Sequence, residues 1–477
     1  MARPWRDWAS RVAGGRLIFD ISSVARWTGA PVGIIRAQRE LAIWARRERP
    51  AAVFAIFDST LMRYRRVADG YVDAFIAGEA SLNAWAMPDP TGARVRRSRM
   101  VPAPVYAALQ ARRTSLRLLE RVRLQPGRPR AARLADRAQR ALITRRYAQA
   151  MLNPDGSRRA FLTPDMAFAE PIDFAPTDLL ISTGFGWSHT NIAAVSEAKA
   201  ATGFRLAVMC YDLIPLMFPE FFKPRDVADM RRYLDTALGL ADIIVTNAEV
   251  VAEDVRRYAR SVGARPPRVV VRPLGATPVA MRADASHPLP AGLAADRFAL
   301  FVSTIEPRKG HELLYRVWVS LLEAGVPQTH DFKLVFVGRP GWMTESLLLA
   351  LRTDPRVAGS LVLLERVSDE TLDQLYRAAA FCVYPSLYEG FGLPLVEAFA
   401  RGKAVIASNG GALAEVAAGL APTLDPRDEA IWRETLARWI ADPAARAPFE
   451  AAIRTNFRPP TWDEAAAGFF AAVTEPT

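Results

Sequence analysis

The chain has 477 residues, 51% hydrophobic and 23% charged, which is ordinary globular composition at a length suited to two or three domains. Its two cysteines, Cys210 and Cys382, lie far apart in apolar runs and away from any histidine at zinc-ligand spacing. That excludes a disulfide framework and a cysteine zinc site, and fits a reduced, cytoplasmic setting. The net charge of +12 asks what a positive surface meets.

The opening MARPWRDWASRVAGG has arginines and tryptophans but no apolar core, so no secretory leader is expected. No run of about 18 apolar residues occurs, so no membrane-spanning helix is expected either. The first strand is RLIFDIS. A glycine loop, TGAPVGI, and a helix, IRAQRELAIWARRE, follow, then a second strand, AAVFAIFD.

The βα rhythm then breaks. Residues 94–146 hold sixteen arginines and no lysine, against two acids, Glu120 and Asp136. This stretch alone is more basic than the whole chain. VYAALQARRTSLRLLERVRL and ARLADRAQRALITRRYAQAM have helical spacing on either side of a QPGRPR break. We expect an arginine-rich helical insertion over about 90–165. One reading is a basic amphipathic surface for anionic lipid or a lipid-diphosphate acceptor; the other is a solvated helical hairpin. No nucleic-acid-reading module accompanies the charge, so nucleic acid is not an expected partner.

The rhythm resumes with DLLISTG, RLAVMCYDLIP, ADIIVTNAE and RVVVRPLG. These are continuous rather than alternating apolar runs, the mark of parallel strands buried on both faces. ATPVAMRADASHPLPAGLAADR reads as a linker, with a boundary near residue 285. A second series follows: FALFVSTIEPRKG, FKLVFVGRPGW, SLVLLERVSDETLDQLYRAA, AFCVYPSLYEGFG, KAVIASNGG and APTLDP, then a helical tail with PPTWDEAAAGFFAAV. Two doubly wound α/β domains in tandem result, with ligands expected outside the carboxyl ends of the strands.

The segment YEGFGLPLVEAFARGKAV carries the chemistry. AFCVYPS is a buried strand, LYEGFG a loop and PLVEAFA a helix with Pro394 in its first turn and Gly402 past its end. Gly390, Phe391, Gly392 and Leu393 therefore lie between a strand end and a helix N-terminus, where free N–H groups and a positive dipole end favour an anion. The glycines let a ligand approach the backbone. Glu397, about one turn into the helix, can accept from a ribose diol, and Glu389 can touch a sugar beside the phosphate. Singly, dipole stabilisation would explain Glu397 and solvation Glu389; together with the loop they point to a ligand. In STIEPRKGHELL, Arg308 and Lys309 are adjacent cations entering a helix, a place the dipole disfavours. They can neutralise a diphosphate and its leaving group.

PSLYEGFGLPLVEAFARGKAVIASNGGALAEV, STIEPRKGHELLYRVW, LVFVGRPGW and VSDETLDQLYRAA strongly resemble retaining glycosyltransferase family 4 over residues 286–455, with Glu389 and Glu397 matching its E-x7-E motif. FDISSVARWTGAPVGIIRAQREL and YDLIPLMFPEFF match more loosely and are similar to the branch of bacterial mannosyl- and rhamnosyl-type transferases of surface polysaccharides. The resemblance implies a GT-B fold: an acceptor domain over 1–285 and a nucleotide-sugar domain over 286–455, both Rossmann-like and facing a central cleft. Residues 456–477 would form a C-terminal helix packing back toward the first domain.

It also implies roles. Arg308 and Lys309 would bind the diphosphate, Glu397 the ribose and Glu389 the donor sugar, with backbone groups of Gly390, Phe391 and Gly392 on its hydroxyls. Gly338 and Val367 would belong to the base pocket. Gly33 would approach the phosphate or sugar from across the cleft, or be a turn glycine. Relatives often have a histidine where this chain has Tyr211, before Asp212, so that histidine's role does not transfer. Tyr211 and Asp212 are candidates for the acceptor side, with Asp212 as a turn cap the alternative. His189 is a cleft candidate or a satisfied surface residue.

The implied reaction is retaining transfer of a hexosyl group, mannosyl favoured, from a nucleotide sugar (GDP-mannose favoured) to a hydroxyl of a growing lipid-linked surface glycan, at the inner face of the membrane. No D-x-D pair occurs, so no metal and no other cofactor is expected. The alternatives are another nucleotide-sugar enzyme on this fold, such as an epimerase or a phosphorylase, or a non-catalytic nucleotide-sugar-binding subunit. No histidine sits in a motif suited to an epimerase, and no pyridoxal lysine for a phosphorylase can be placed. Intact Arg308, Lys309, Glu389 and Glu397 argue against a decayed site.

Overall fold

The computed structural model describes residues 15–28, 33–82, 160–162, 164–276, 288–365, 367–458 and 460–474, the helix Pro129–Leu142, and a few positions within 111–122. The N-terminal strands are β1 (Leu17–Asp20), β2 (Val53–Asp58), β3 (Arg63–Val67), β4 (Ala80–Leu82), β5 (Ala160–Leu162), β6 (Phe168–Pro171), β7 (Leu179–Ser182), β8 (Arg205–Cys210), β9 (Ile243–Thr246) and β10 (Arg268–Val271). Eight of them form one sheet in the order β10-β9-β8-β7-β1-β2-β3-β6, and β4 pairs with β5 in parallel.

From β10 to β2 every pairing is parallel, as the continuous apolar runs predict. β3 and β6 are antiparallel additions that the sequence reading did not anticipate. β3 is RYRRV, in which only Tyr64 and Val67 are buried. Its Arg65 donates to the Ala169 carbonyl at 2.9 and 2.6 Å, so the charge that disguises the strand also ties it to β6.

The second sheet holds β11 (Phe298–Val302), β12 (Lys333–Val337), β13 (Leu361–Leu364), β14 (Phe381–Tyr384), β15 (Val405–Ser408) and β16 (Thr423–Leu424). It is wholly parallel, in the order β13-β12-β11-β14-β15-β16. This is the doubly wound order whose direction reverses between the first and fourth strands, and ligands bind at such reversals. Here the reversal lies between β11 and β14, and their C-terminal ends lead into loops 303–310 and 385–392. In the first sheet the matching point lies between β1 and β7. The second core is closed by three fully buried tryptophans, Trp318, Trp432 and Trp439.

The helix Ile34–Glu48 buries Leu41, Ala42, Trp44 and Ala45 along one stripe. The last helix, Trp462–Thr474, crosses back from the second domain and seats Trp462, Phe469, Phe470 and Val473 in the first domain's core. Trp44 and Phe470 stack at 4.7 Å, an arrangement that adds to their area burial. The boundary near residue 285 and most of the arginine-rich insertion, including most of 94–146, lie outside the described residues; within it Pro129–Leu142 is helical as expected, whereas Ala160–Leu162 is the strand β5 and not helix. No helix among the described residues is long and apolar enough to cross a membrane.

Candidate active site

Loops 303–310 and 385–392 are clasped together. Gly310 has φ +81°, and a Cβ there would stand 2.5 Å from the Pro385 carbonyl oxygen, so only glycine permits the approach. The Leu387 N–H donates to the Arg308 carbonyl at 2.7 Å. The clasp brings two cations onto one carboxylate. Lys309 Nζ donates to Glu389 Oε1 at 2.6 Å, and Arg308 Nη1 reaches Glu389 Oε2 at 3.3 Å and the Tyr388 carbonyl at 3.0 Å. Ser386 Oγ donates to Glu389 Oε1 at 2.7 Å, and the Ala412 N–H holds the Glu389 carbonyl at 2.8 Å. Glu306 Oε2 lies 3.3 Å from Arg308 Nε.

The charges in this cluster condition one another. Burial alone would push the Glu389 carboxyl up, but Lys309 and Arg308 overcome it and hold the group at about 2. Lys309 is pushed below its ordinary value by burial and by neighbouring Arg308, with Glu389 as its main support. Burial also works against the Arg308 charge, yet Glu389, Glu306 and Asp212 leave it more firmly protonated than usual. Glu306 and Asp212 are raised by burial. His311, one turn on, packs 4.3 Å from the Phe301 ring, and burial, then Lys309, push it down to about 3. It is neutral near pH 7 and serves as packing.

Glu397 sits in the helix Leu393–Ala400, which starts from Gly392 in a left-handed conformation with Pro394 in the first turn. Both carboxylate oxygens have donors: Arg36 Nη1 at 2.7 Å on Oε1 and Tyr376 Oη at 3.1 Å on Oε2. The first donor comes from the other domain.

Gly390 corrects the sequence reading of why a glycine stands there. A Cβ on Gly390 would lie 2.3 Å from the Tyr211 carbonyl oxygen and 2.9 Å from Asp212 Cβ. What approaches this glycine is the backbone of the other domain. Gly392 is required by φ +99° and by Leu413 Cδ2 at 2.7 Å. Phe391, together with the partly buried Leu393, packs into the first domain's core. Gly338 is explained by the Ser303 carbonyl oxygen, 1.9 Å from a built Cβ, which puts it beside loop 303–310. Val367, just past β13, packs on the second core.

On the first domain, Gly33 caps the helix Ile34–Glu48 at φ +51° with nothing within 4 Å of a built Cβ. Tyr211 is buried and donates to the Thr183 carbonyl at 2.7 Å, so its hydroxyl is engaged within its own domain. Asp212 accepts the Ile214 N–H at 3.1 Å, the turn-cap alternative, while its charge faces Arg308. His189 Nδ1 lies 2.8 Å from Ser23 Oγ, at the reversal of the first sheet.

The structure thus gathers Arg308, Lys309, Glu389 and Gly390 in one cluster and links Glu397 to it through one helix, whereas Gly33 makes no contact with the cluster; it is Arg36, on the helix that Gly33 starts, that reaches Glu397. Sequence reasoning missed Glu306, Ser386, Arg36 and Tyr376. Ser386, three residues before Glu389 in the same loop, was the one with a local signal. Among the described residues, no group of three or more His, Cys, Asp or Glu side chains is placed to hold a metal ion.

Residues 292–456 match the family model described as glycosyl transferases group 1. Over 242 residues the chain is 32% identical to the serotype-specific mannosyltransferase WbdA of Escherichia coli, covering 48% of this chain and 29% of that protein. It is 29% identical to O-antigen chain mannosyltransferase B of Escherichia coli, covering 47% and 58%. The chain therefore spans less than two thirds of either relative. The crystal structure of an α,α-trehalose-phosphate synthase (UDP-forming) from Burkholderia xenovorans, in complex with glucose-6-phosphate, aligns with a TM-score of 0.50 at 16% identity, over 63% of this chain and 72% of that one. That likeness is one of fold: the two sheets and the cleft between them are the GT-B architecture.

Proposed function

We propose that this chain is a retaining, metal-independent glycosyltransferase. It moves a hexosyl group, mannosyl by preference, from a nucleotide sugar such as GDP-mannose to a hydroxyl of a growing lipid-linked surface glycan. The observation that carries the reading is the closure of Lys309 and Arg308 on Glu389 at the strand reversal of the second sheet. The family match over this domain and the names of the two Escherichia coli relatives support the donor class and the surface-glycan setting.

In this mechanism the bond from the anomeric carbon to the diphosphate oxygen breaks, and the departing charge moves toward Lys309 and Arg308. Lys309 has three donors and Arg308 five, so contact with Glu389 leaves N–H groups for phosphate oxygens. Glu389, fixed by Ser386 and Ala412, is left to face the sugar hydroxyls. The acceptor oxygen bonds to the anomeric carbon on the same face, and its proton passes to a donor phosphate oxygen. Catalysis rests on positioning and fixed charge, with no protein nucleophile. Glu397 holds the ribose, Gly338 and Val367 border the base, and Gly33 faces the donor from the first domain. An epimerase would need an acid/base beside the sugar; neutral, buried His311 does not provide one. The basic stretch 94–146 would hold the protein to an anionic membrane surface, and equal flotation with anionic liposomes after its deletion would sink that part.

The test is a thermal-shift screen of the purified protein against nucleotide sugars, followed by turnover with the best donor. Loss of a fixed positive charge that meets the leaving group costs on the order of 10²–10³ in rate, so Lys309→Ala should fall by about that much. Glu389→Gln, which removes the carboxylate that holds Lys309 and faces the sugar, should also fall well beyond about twofold. Turnover within about twofold of the parent in both would sink the assignment.

A further inference from the structure

Arg36 and Glu397 meet across the cleft although they stand 361 positions apart in the chain. Arg36 lies in the first turn of the helix Ile34–Glu48, just after the Gly33 turn, and Glu397 one turn into Leu393–Ala400. Their side chains are 22% and 13% exposed, so the pair is largely shielded yet within reach of a solute entering the cleft. Glu397 Oε2 is taken by the buried Tyr376 hydroxyl, itself fixed among Tyr384 and the Pro394 carbonyl. Oε1 is taken by Arg36. A vicinal diol that uses both oxygens meets one fixed donor and one on a flexible stem.

We propose that Arg36 is a donor-responsive positioning residue. It occupies Glu397 while the cleft is empty, and yields Oε1 to the ribose diol of an arriving nucleoside diphosphate. This rests on the proposed reading of Glu397 as the ribose carboxylate. Arg36 has somewhere to go: Glu40, one helical turn along, is a partly buried carboxylate whose pKa is raised by burial and lowered chiefly by Arg36. The exchange replaces one ion pair by another and couples donor arrival to release of a contact between the domains.

The consequence is a split that a merely structural ion pair would not produce. Removing Arg36 removes the ribose's competitor, so Arg36→Gln and Arg36→Met should bind nucleoside diphosphate about three- to fivefold more tightly, the upper end of what an ion pair in reach of solvent contributes. Turnover should fall in the same variants, because the domains lose a contact that sets their relation. Arg36→Lys keeps the charge and should stay within about twofold of the parent in affinity. The experiment is calorimetric titration of parent and variants with guanosine and uridine diphosphates, with thermal unfolding of each protein as the folding control. Unchanged or weaker binding in the two neutral variants overturns the inference. Absence of binding by the parent to either nucleotide would instead strike the proposed function.

Discussion

The carbonyl oxygen of Tyr211 lies 2.3 Å from the point where a side chain would begin at Gly390. Two domains therefore meet backbone to backbone beside the cation cluster. The seam is reinforced on either side. The Tyr388 hydroxyl donates to Asp254, the Trp342 indole donates to the Phe221 carbonyl at 2.5 Å, and the Glu415 carboxylate accepts the N–H groups of Glu249 and Val250 at 2.9 and 3.1 Å. That last contact caps a helix of the first domain with an acid from the second.

Gly390→Ala should be far more damaging than its size suggests. The atom in the way is a main-chain oxygen, which cannot swing aside as a side-chain tip would. Either loop 385–392 or the domain seam must move, at a cost of about 1–3 kcal/mol. A misplacement on the order of 1 Å at reacting groups costs up to about 10² in rate, so turnover should fall by roughly that factor while the fold survives. Steady-state rates with calorimetric unfolding check this; a near-parental rate would mean that the loop yields freely.

The cation cluster fixes the sign of a pH effect. Glu389 has a folded-state pKa of about 2, below the ordinary carboxylate value. Its stabilisation is therefore present above that ordinary value and is lost as pH falls toward about 2. Glu306 and Asp212 are raised by burial, so they act in the opposite sense: their contribution is present at low pH and lost as pH rises through their raised values. Glu389→Gln removes only the first effect. It also leaves Lys309 largely buried beside Arg308 without its main partner, a loss of about 3–5 kcal/mol for a broken buried pair. The Tm gap between parent and Glu389→Gln should be wide near pH 7 and should narrow toward about pH 3. A gap independent of pH would mean that the glutamate's charge is not what stabilises the cluster.

These sites mark the limit of what one chain of letters discloses. The strands of both sheets were legible because each is a short apolar run closed by a turn residue, except β6, a short FAEP run with one buried residue, and β3, where three arginines in five residues hide a strand held by Tyr64 and Val67. Arg308, Lys309 and Glu389 were legible because a cation pair and an acid stood where free N–H groups and strand ends meet. The pairing of Lys309 with Glu389 spans 80 positions and that of Arg36 with Glu397 spans 361, so neither has a local signature. Gly390 was legible as a glycine that must be a glycine, but the reason is Tyr211, which only the packing of one domain on the other supplies.

The last helix gives a test of how the chain's end is used. Phe470 is fully buried, stacked on Trp44 at 4.7 Å and 5.9 Å from the Phe19 ring, although it follows the entire second domain in sequence. Phe470→Ala leaves a cavity lined by aromatic rings that cannot collapse onto it, and should cost about 3–5 kcal/mol. The loss belongs to the first domain. Hydrogen exchange should therefore show lost protection in Ile34–Glu48 and retained protection in His311–Glu323, whose Leu313, Leu314, Val317 and Trp318 pack in the other core. Trp439→Ala, in the second core, should reverse the pattern. If Phe470→Ala instead loosened His311–Glu323 first, the last helix would be acting as part of the second domain, and its packing on Trp44 would contribute little to the stability of the first.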